Sequence, residues 1–160
     1  MMKKTVLAIA LLAMALCVSA QESRYHGSVD VGWGMQFPVG DNGTRAMFAF
    51  TTTHGWQLTS NVFVGAGVGV SVVQSNYGQE TAYPAYAAMK YDFMPDSEVG
   101  PIVALRFGRV YGGGRNFATA MAGLRLSEKP HMRWNLMAVY GFNNDGYYGM
   151  NVGLMLSLEY

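Results

Sequence analysis

The residues with the clearest chemical potential lie near the start of the chain, in the stretch HGSVD. His26, Ser28 and Asp30 occupy alternate positions, so a β-strand would place all three on one face. Histidine, serine and an acid are the residue types that nucleophilic hydrolysis needs together. Histidine and serine two positions apart on a strand are also common by chance, so the pattern favours a hydrogen-bonded, structural histidine.

No other stretch has the spacing of a catalytic, metal or phosphate site. His26, His54 and His131 are not spaced as metal ligands. YGGGR, residues 111–115, is rich in glycine but lacks the Gly-Lys-Ser/Thr ending and the following helix of a phosphate loop, and it is typical of a hairpin. We therefore expect no catalytic residues, no metal and no cofactor, and we expect the protein not to be an enzyme.

Charged residues recur on the less apolar faces of the predicted strands. Five are positive and three are negative, and buried charges are stable only when they are paired or hydrogen-bonded. We expect them to form a structural network inside a closed sheet. The members are Asp30, Arg45, Lys90, Asp92, Arg106, Arg125, Arg133 and Glu159. A hairpin of simple register would place Arg133 opposite Ser157 and diagonal to Glu159.

The elements that must position these charges are β-strands. In the last fifteen residues, GYYGMNVGLMLSLEY, every second residue from Tyr148 to Tyr160 is apolar or aromatic. A period of two is typical of a strand and not of a helix. The same alternation, followed by a turn signal, predicts eight strands. They span residues 24–35, 45–54, 61–73, 83–93, 99–111, 117–126, 132–142 and 146–160.

Turn residues separate these strands. The outer loops are predicted at residues 36–44, 74–82, 112–116 and 143–146, all of them short, and the inner turns at residues 55–60, 94–98 and 127–131. Pro38, Pro95 and Pro130 are predicted in turns. Pro84 and Pro101 are predicted near strand starts, where a missing N–H is tolerated. His54 and His131 are predicted to belong to the second set of turns.

The first segment is typical of a secretory signal peptide. MMKK is basic, TVLAIALLAMALCV is a short apolar run, and Val18–Ala20 offers small residues for cleavage. A spanning helix needs roughly 20 apolar residues. We expect a signal peptide over residues 1–20 and one domain over residues 21–160. The alternative is a lipoprotein lipidated at Cys17, although Leu16 stands where such signals carry Gly, Ala or Ser.

Composition favours a barrel that faces lipid. Hydrophobic residues make up 51% of the chain and charged residues 13%, about half the share that is usual in soluble domains. The apolar faces are continuous, and the other faces are rich in glycine, which suits the inside of a narrow barrel. In lipid a sheet must close on itself, because every backbone polar group needs an internal partner. The net charge of +1 does not indicate nucleic acid.

Aromatic residues stand where the borders of a membrane are expected. Barrels of the outer membrane carry an aromatic girdle at each border. The predicted girdle consists of Tyr25, Trp33, Tyr91, Phe93, Tyr111, Tyr148 and Tyr160. An even number of strands places both chain ends on one side, which is periplasmic in bacterial barrels.

On these residues the sequence resembles the small porin-like, OmpA/OmpX-type outer-membrane β-barrel proteins, especially compact members from Bacteroidetes envelopes. The resemblance spans residues 21–160, and its most specific piece is TTTHGWQLTSNVFVGAGVGVS, Thr51 to Ser71. It implies an all-β, eight-stranded antiparallel up-and-down transmembrane barrel with periplasmic termini, and no assigned activity for most members. Tyr160 resembles the terminal signal that the barrel-assembly machinery reads, at which phenylalanine is commoner.

The expected function is that of a non-enzymatic protein of the outer membrane, with a structural or surface role and a lumen plugged by paired charges. A narrow porin-like ion channel is the alternative. A lipid A-modifying enzyme, a type known among such barrels, is the third reading. The expected partners are outer-membrane lipids, the barrel-assembly machinery and lipopolysaccharide. Arg115, with Arg109 nearby, could meet lipopolysaccharide phosphates, although the pattern favours a solvated surface charge. The sequence names no protein partner.

Overall fold

The computed structural model describes residues 25–38, 43–75, 78–111, 115–129, 132–144 and 148–160. Within these ranges the chain forms eight strands. They are β1 (Tyr25–Pro38), β2 (Arg45–Gln57), β3 (Val62–Ser75), β4 (Gly78–Asp92), β5 (Gly100–Tyr111), β6 (Arg115–Lys129), β7 (Met132–Asn144) and β8 (Tyr148–Glu159). The predicted signal peptide, the cleavage site and Cys17 lie outside the described residues.

The eight strands form a closed barrel. Each strand pairs antiparallel with the next in sequence, and β8 pairs with β1. Gly27 and Tyr160 extend that last seam, since their N–H groups bond each other's carbonyl oxygens at 3.0 and 2.9 Å. Closure leaves no unpaired edge strand. The predicted eight-stranded antiparallel up-and-down barrel is confirmed.

The strands are strongly tilted. A path that follows paired residues once round the barrel from Tyr25 returns to β1 at Met35, ten residues further along. Such a stagger requires strands inclined to the barrel axis by roughly 35–45°. The glycines of β3 lie very close to the neighbouring strands. A small barrel with this stagger leaves no room there for a Cβ.

Side chains alternate between the lumen and the outer surface. The alternation is clear in β5, where residues from Gly100 to Arg106 are buried and exposed in turn. Large apolar side chains such as Phe107, Leu154 and Val31 lie exposed on the outer surface. In the described residues, no helix is long and apolar enough to cross a membrane.

The hairpin of β3 and β4 is longer than predicted. β3 continues to Ser75 and β4 begins at Gly78, so most of the predicted 74–82 loop is paired strand. Gly78 has a φ of 136°, a value that L side chains rarely adopt. Pro84 consequently lies inside β4 and not near its start. Pairing with β3 is interrupted between Ala85 and Ala82, because proline has no N–H for the ladder.

Other strands also extend further than predicted. β1 reaches Pro38, which was expected in a turn, and β2 reaches Gln57, so that His54 lies in a strand. β6 covers residues 115–129, with a register shift between Arg125 and Ser127. A paired neighbour on one side stabilises each of these ends, and this pairing overrides the local preference for a turn.

The predicted register of the last hairpin was wrong by two residues. Arg133 lies opposite Glu159, and Asn135 lies opposite Ser157. The cause is the length of the strands, because pairing continues to Asn144 and Tyr148. The predicted NNDG loop is therefore partly strand. A shift of two residues leaves every side chain on its expected face.

Candidate functional site

The lumen divides into two halves that meet at Asp30 on β1. The half next to the chain ends begins at His26 and is called here the terminal half. The half toward the opposite end of the barrel, with Gln36 on β1, is called the loop half. The polar and charged side chains of the lumen lie in one of these halves or at the boundary between them.

A group of five side chains, called here the septum, lies at the boundary. Arg106 Nη2 donates to Asp30 Oδ2 at 2.7 Å, and the two side chains are 9% and 1% exposed. Thr51 Oγ1 and Thr53 Oγ1 donate to the same carboxylate oxygen at 3.1 and 3.4 Å. The guanidinium of Arg106 also lies 4.7 Å from the ring centre of Tyr86. Hydroxyl groups and an aromatic face thus surround a buried charge pair. All of these bonds go to Asp30 Oδ2, whereas Asp30 Oδ1 is buried without a hydrogen-bond partner among the described residues.

Two glycines make room for the ring of Tyr86. Gly67 on β3 and Gly108 on β5 flank Tyr86 in the sheet. A Cβ on Gly67 would lie 2.5 Å from the Tyr86 ring, and a Cβ on Gly108 would lie 2.6 Å from Tyr86 Cβ. Gly67 thus leaves space for the ring and Gly108 for the start of the side chain, and the Tyr86 hydroxyl lies 3.0 Å from Thr53 Oγ1.

The terminal half holds two further ion pairs. Arg125, which is 1% exposed, pairs with Asp92. Its Nη2 also donates to the carbonyl oxygens of Met94 and Ser97, so the same guanidinium fixes the 93–99 connection. Because three acceptors surround one buried cation, this arginine links the lumen to the turn beneath it.

The second pair joins distant strands. Lys90 on β4 donates to Glu159 on β8, and Asn135 Nδ2 donates to the same carboxylate oxygen at 2.6 Å. The ammonium group of Lys90 lies 5.4 Å from the ring centre of Phe63. These contacts span the lumen and restrict its cross-section.

The structure brings six of the eight predicted lumen charges into three ion pairs. Arg133 lines a polar recess of about 410 Å³ at the terminal mouth, together with His26, Gln57 and Asp96. Arg45 lies at the loop end of β2, on the same side as the lumen-facing Met47. Both arginines make further contacts within the protein.

Sequence reasoning missed the uncharged members of the network. Thr51, Thr53, Tyr86 and Asn135 are buried and hydrogen-bonded to the charges. The sequence contained an indication that these four side chains face the lumen, because each occupies the same strand face as a small or polar residue. What was missing was the register, which alone shows that Thr51 lies opposite Asp30.

The His-Ser-Asp stretch does not form a hydrolytic arrangement in the described residues. Ser28 Oγ donates to Asp30 Oδ2 at 3.4 Å, and the same oxygen accepts bonds from Arg106 and two threonines. Asp30 therefore stabilises a guanidinium and does not orient an imidazole, as a triad requires. In the described ranges, no three acidic, histidine or cysteine side chains are grouped to hold a metal ion.

Aromatic side chains encircle the terminal end of the outer surface. Four predicted members are exposed there, and two were missed. The six are Tyr25, Trp56, Tyr91, Phe93, Trp134 and Tyr160. Tyr25 Oη lies 2.7 Å from His54 Nδ1, and the Tyr160 ring covers Gly27, where a Cβ would lie 2.8 Å from it.

The other predicted girdle residues do not lie at the terminal end. Tyr111 is exposed at the loop end, opposite Tyr83. Trp33 is exposed but stands five residues before the end of β1, inside the apolar surface and not at its border. The side chain of Tyr148 lies outside the described part of the structure.

The loop half contains a cavity of about 110 Å³. Met47, Val110, Phe117, Val139 and Met155 contribute apolar walls, and Arg106 and Tyr86 form its floor. Arg106 is the sole charged residue among the described side chains that line it. The loop half therefore differs in chemistry from the terminal half.

The two arginines that were considered for lipopolysaccharide contacts occupy different positions from each other. Arg115 Nη1 lies 3.2 Å from Glu80 Oε1 in a partly exposed ion pair at the loop end. Arg109 is exposed on the outer surface, between the exposed Phe107 and Tyr111 on the same face of β5.

The solved structures that resemble this barrel include those of two bacterial proteins. Neisserial surface protein A, NspA, aligns with a TM-score of 0.62 and 14% identity, covering 85% of this chain and 98% of that chain. Ail, the attachment invasion locus protein of Yersinia pestis, aligns with a TM-score of 0.50 and 12% identity, covering 88% and 100%. Neither the family models nor the curated protein sequences match this chain. At these identities the similarity concerns the fold, and this chain shares the closed-barrel fold of NspA and Ail.

Proposed function

We propose that this chain is an outer-membrane β-barrel protein with a structural or lipid-interacting role, whose lumen is closed by paired charges. The observation that carries the proposal is the inversion of the usual distribution of side chains. Ion pairs such as Arg125–Asp92 are buried, whereas large apolar residues such as Phe107, at 58% exposed, cover the outside. Such a surface is stable in hydrocarbon and aggregates in water.

The dimensions support a membrane span. The strands contain 12 to 15 residues. At about 3.3 Å per residue and a tilt of roughly 40°, they cover the apolar band of about 25 Å that outer-membrane barrels present. The closed ladder meets the requirement that backbone polar groups find partners without water.

The topology supports an orientation with both termini in the periplasm. Both described ends, Tyr25 and Tyr160, lie at the terminal end with the six aromatic residues, and we assign this end to the periplasm. The basic and apolar first segment supports export through a cleavable signal peptide. Tyr160 supports recognition by the barrel-assembly machinery. The proposal includes the more specific resemblance to compact OmpA/OmpX-type barrels of Bacteroidetes.

A closed lumen is favoured over a narrow channel. An ion that crosses the lumen must pass Arg106, Asp30 and Tyr86, which bind one another across it. It must also pass the Lys90–Glu159 pair. Moving these side chains would strip buried charges of their partners, which is costly in a low-dielectric interior.

The outer surface supports lipids as partners. Arg109 stands among aromatic residues on the exposed face of β5, near the loop end. Arginine pairs readily with phosphate. We therefore include lipopolysaccharide phosphates among the proposed partners. Catalysis on lipid A is not proposed, because Ser28, His26 and Asp30 face the lumen and Asp30 binds Arg106.

Cell fractionation with a heat-shift gel tests the proposal. We expect the protein in the outer-membrane fraction, migrating as a compact species in unheated detergent and as an extended one after boiling. Leu154→Arg, a change on the exposed face of β8, should cost about 2–4 kcal/mol of folding free energy in lipid. Leu154→Ala is the matched control. A soluble periplasmic product, or equal stability of both variants, would contradict membrane insertion.

A further inference from the structure

The loop half contains a polar atom that the rest of the barrel leaves unused. Asn151 on β8 is 7% exposed and lines the 110 Å³ cavity. Its Oδ1 is buried and, within the part of the chain that the structure describes, has no hydrogen-bond partner. An unmet buried acceptor is costly and requires an explanation.

The walls around Asn151 define what could meet that acceptor. Phe117 and Tyr86 meet edge to face with ring centres 6.2 Å apart, and Val139 and Met155 form apolar wall beside them. The floor is Arg106, whose Nη2 is already bound to Asp30 and whose Nη1 donates to Thr51. The cavity therefore offers apolar surface, the hydroxyl-bearing side chains of Thr51, Ser71 and Thr119, the unpartnered acceptor of Asn151, and no free charge among the described lining residues.

We infer that the loop half binds a small aromatic molecule with one hydrogen-bond donor, of the phenol class. The ring packs on Phe117 and Val139, and its hydroxyl donates to Asn151 Oδ1. The volume is close to that of apolar cavities of roughly 150 Å³ that take up benzene. This inference goes beyond the proposed structural role and depends on the barrel fold, not on a closed lumen.

The choice of a neutral donor follows from the electrostatics. A carboxylate would place its oxygens against Asn151 Oδ1, where two acceptors repel each other. A cation would be held next to the Arg106 guanidinium at low dielectric. An unsubstituted hydrocarbon would fill the walls but leave Oδ1 without a partner. A phenol meets both requirements.

The methionines provide the readout. Met47 and Met155 line the cavity, whereas Met35 and Met89 are 41% and 47% exposed on the outer surface. The full barrel, folded in detergent with carbon-13 methionine methyl groups, is titrated with phenol and, separately, with benzene. We expect saturable shifts at Met47 and Met155 and linear shifts at Met35 and Met89, which report phenol dissolved in the micelle.

Two variants separate the hydrogen bond from the cavity. Asn151→Leu should weaken phenol binding about tenfold and leave benzene binding unchanged, because it removes the amide and keeps a side chain of similar size. Ala49→Leu, which fills the wall on β2, should abolish saturation by both compounds. The heat-shift gel verifies folding of each variant. Non-saturable shifts at all four methionines, or equal phenol affinities of the parent and Asn151→Leu, would overturn the inference.

Discussion

The terminal half of the lumen holds Arg125 with Asp92 and Lys90 with Glu159, and it ends at the Asp30–Arg106 pair. The loop half, a few residues further along the same strands, has methionine, valine and phenylalanine walls around a cavity. Both halves have the same strand number and tilt. The difference therefore comes from side chains alone. A narrow barrel can be sealed by charge pairs over part of its length and keep space in the rest.

The two halves should respond to mutation in opposite ways. A buried ion pair contributes little net stability as a pair, but loss of one partner leaves an uncompensated charge. The walls of a cavity, by contrast, have room for change, and loss of an unmet acceptor costs nothing. The predictions below follow this contrast, from the largest expected effect to the smallest.

Arg125→Met should destabilise the barrel most. It leaves Asp92 buried without its cation and frees the carbonyl oxygens of Met94 and Ser97. We expect a loss of about 3–5 kcal/mol in the free energy of unfolding, measured by urea titration of the barrel in lipid vesicles. Arg125→Met with Asp92→Leu should recover a large part of it. A loss below about 1 kcal/mol in the single variant would mean that the pair is hydrated.

A methyl group beside Tyr86 should have the next largest effect. Gly67→Ala forces a Cβ to within 2.5 Å of the Tyr86 ring, and we expect a loss of about 1–3 kcal/mol. Gly32→Ala is the matched control, because its Cβ would lie 3.4 Å from the nearest atom, the flexible end of Met155. Equal urea midpoints for the two variants would show that the septum is not tightly packed.

Asn151→Leu should stabilise the barrel. It replaces a buried, unmet acceptor in the loop half with an apolar side chain of similar size. We expect a gain of about 1 kcal/mol in the same titration. Asn135→Leu is the matched change in the terminal half, where the amide donates to Glu159, and it should destabilise. Destabilisation by both changes would show that the two halves do not differ at positions 151 and 135.

Arg115→Ala should have the smallest effect. Its ion pair with Glu80 is 35% and 52% exposed, and exposed pairs contribute about 0–1 kcal/mol. We expect a change below about 0.5 kcal/mol, which disappears in 1 M salt. A salt-resistant loss of the size expected for Arg125→Met would place a buried charge pair in the loop half.

Much of the fold followed from the sequence, because alternation along each strand is a local property. The faces of Arg106, Lys90 and Asp92 were predictable from period two alone. Strand ends were not, because the pairing that extends β3 to Ser75 and starts β4 at Gly78 comes from neighbouring strands. Pro84, which lies inside β4, shows the same limit.

The candidate site was predictable in composition but not in pairing. The sequence predicted eight inward charges, and six of them form ion pairs in the structure. The pairing itself was not predictable, because Arg106 and Asp30 are 76 positions apart and meet across the barrel. The contact depends on the stagger of all eight strands, which no single hairpin determines. The cavity has no sequence signal, because it results from small side chains on strands that are distant in the chain, such as Ala49 and Ser71.

Single-channel recording in planar bilayers tests the closed terminal half most directly. The purified parent barrel should insert without reproducible current steps. Measurable openings should appear when both pairs that cross the lumen are removed together, by Asp30→Ala and Arg106→Ala with Lys90→Ala and Glu159→Ala. Reproducible steps from the parent barrel, with an anion preference that Arg106→Ala changes, would contradict a lumen sealed by paired charges and favour the narrow channel.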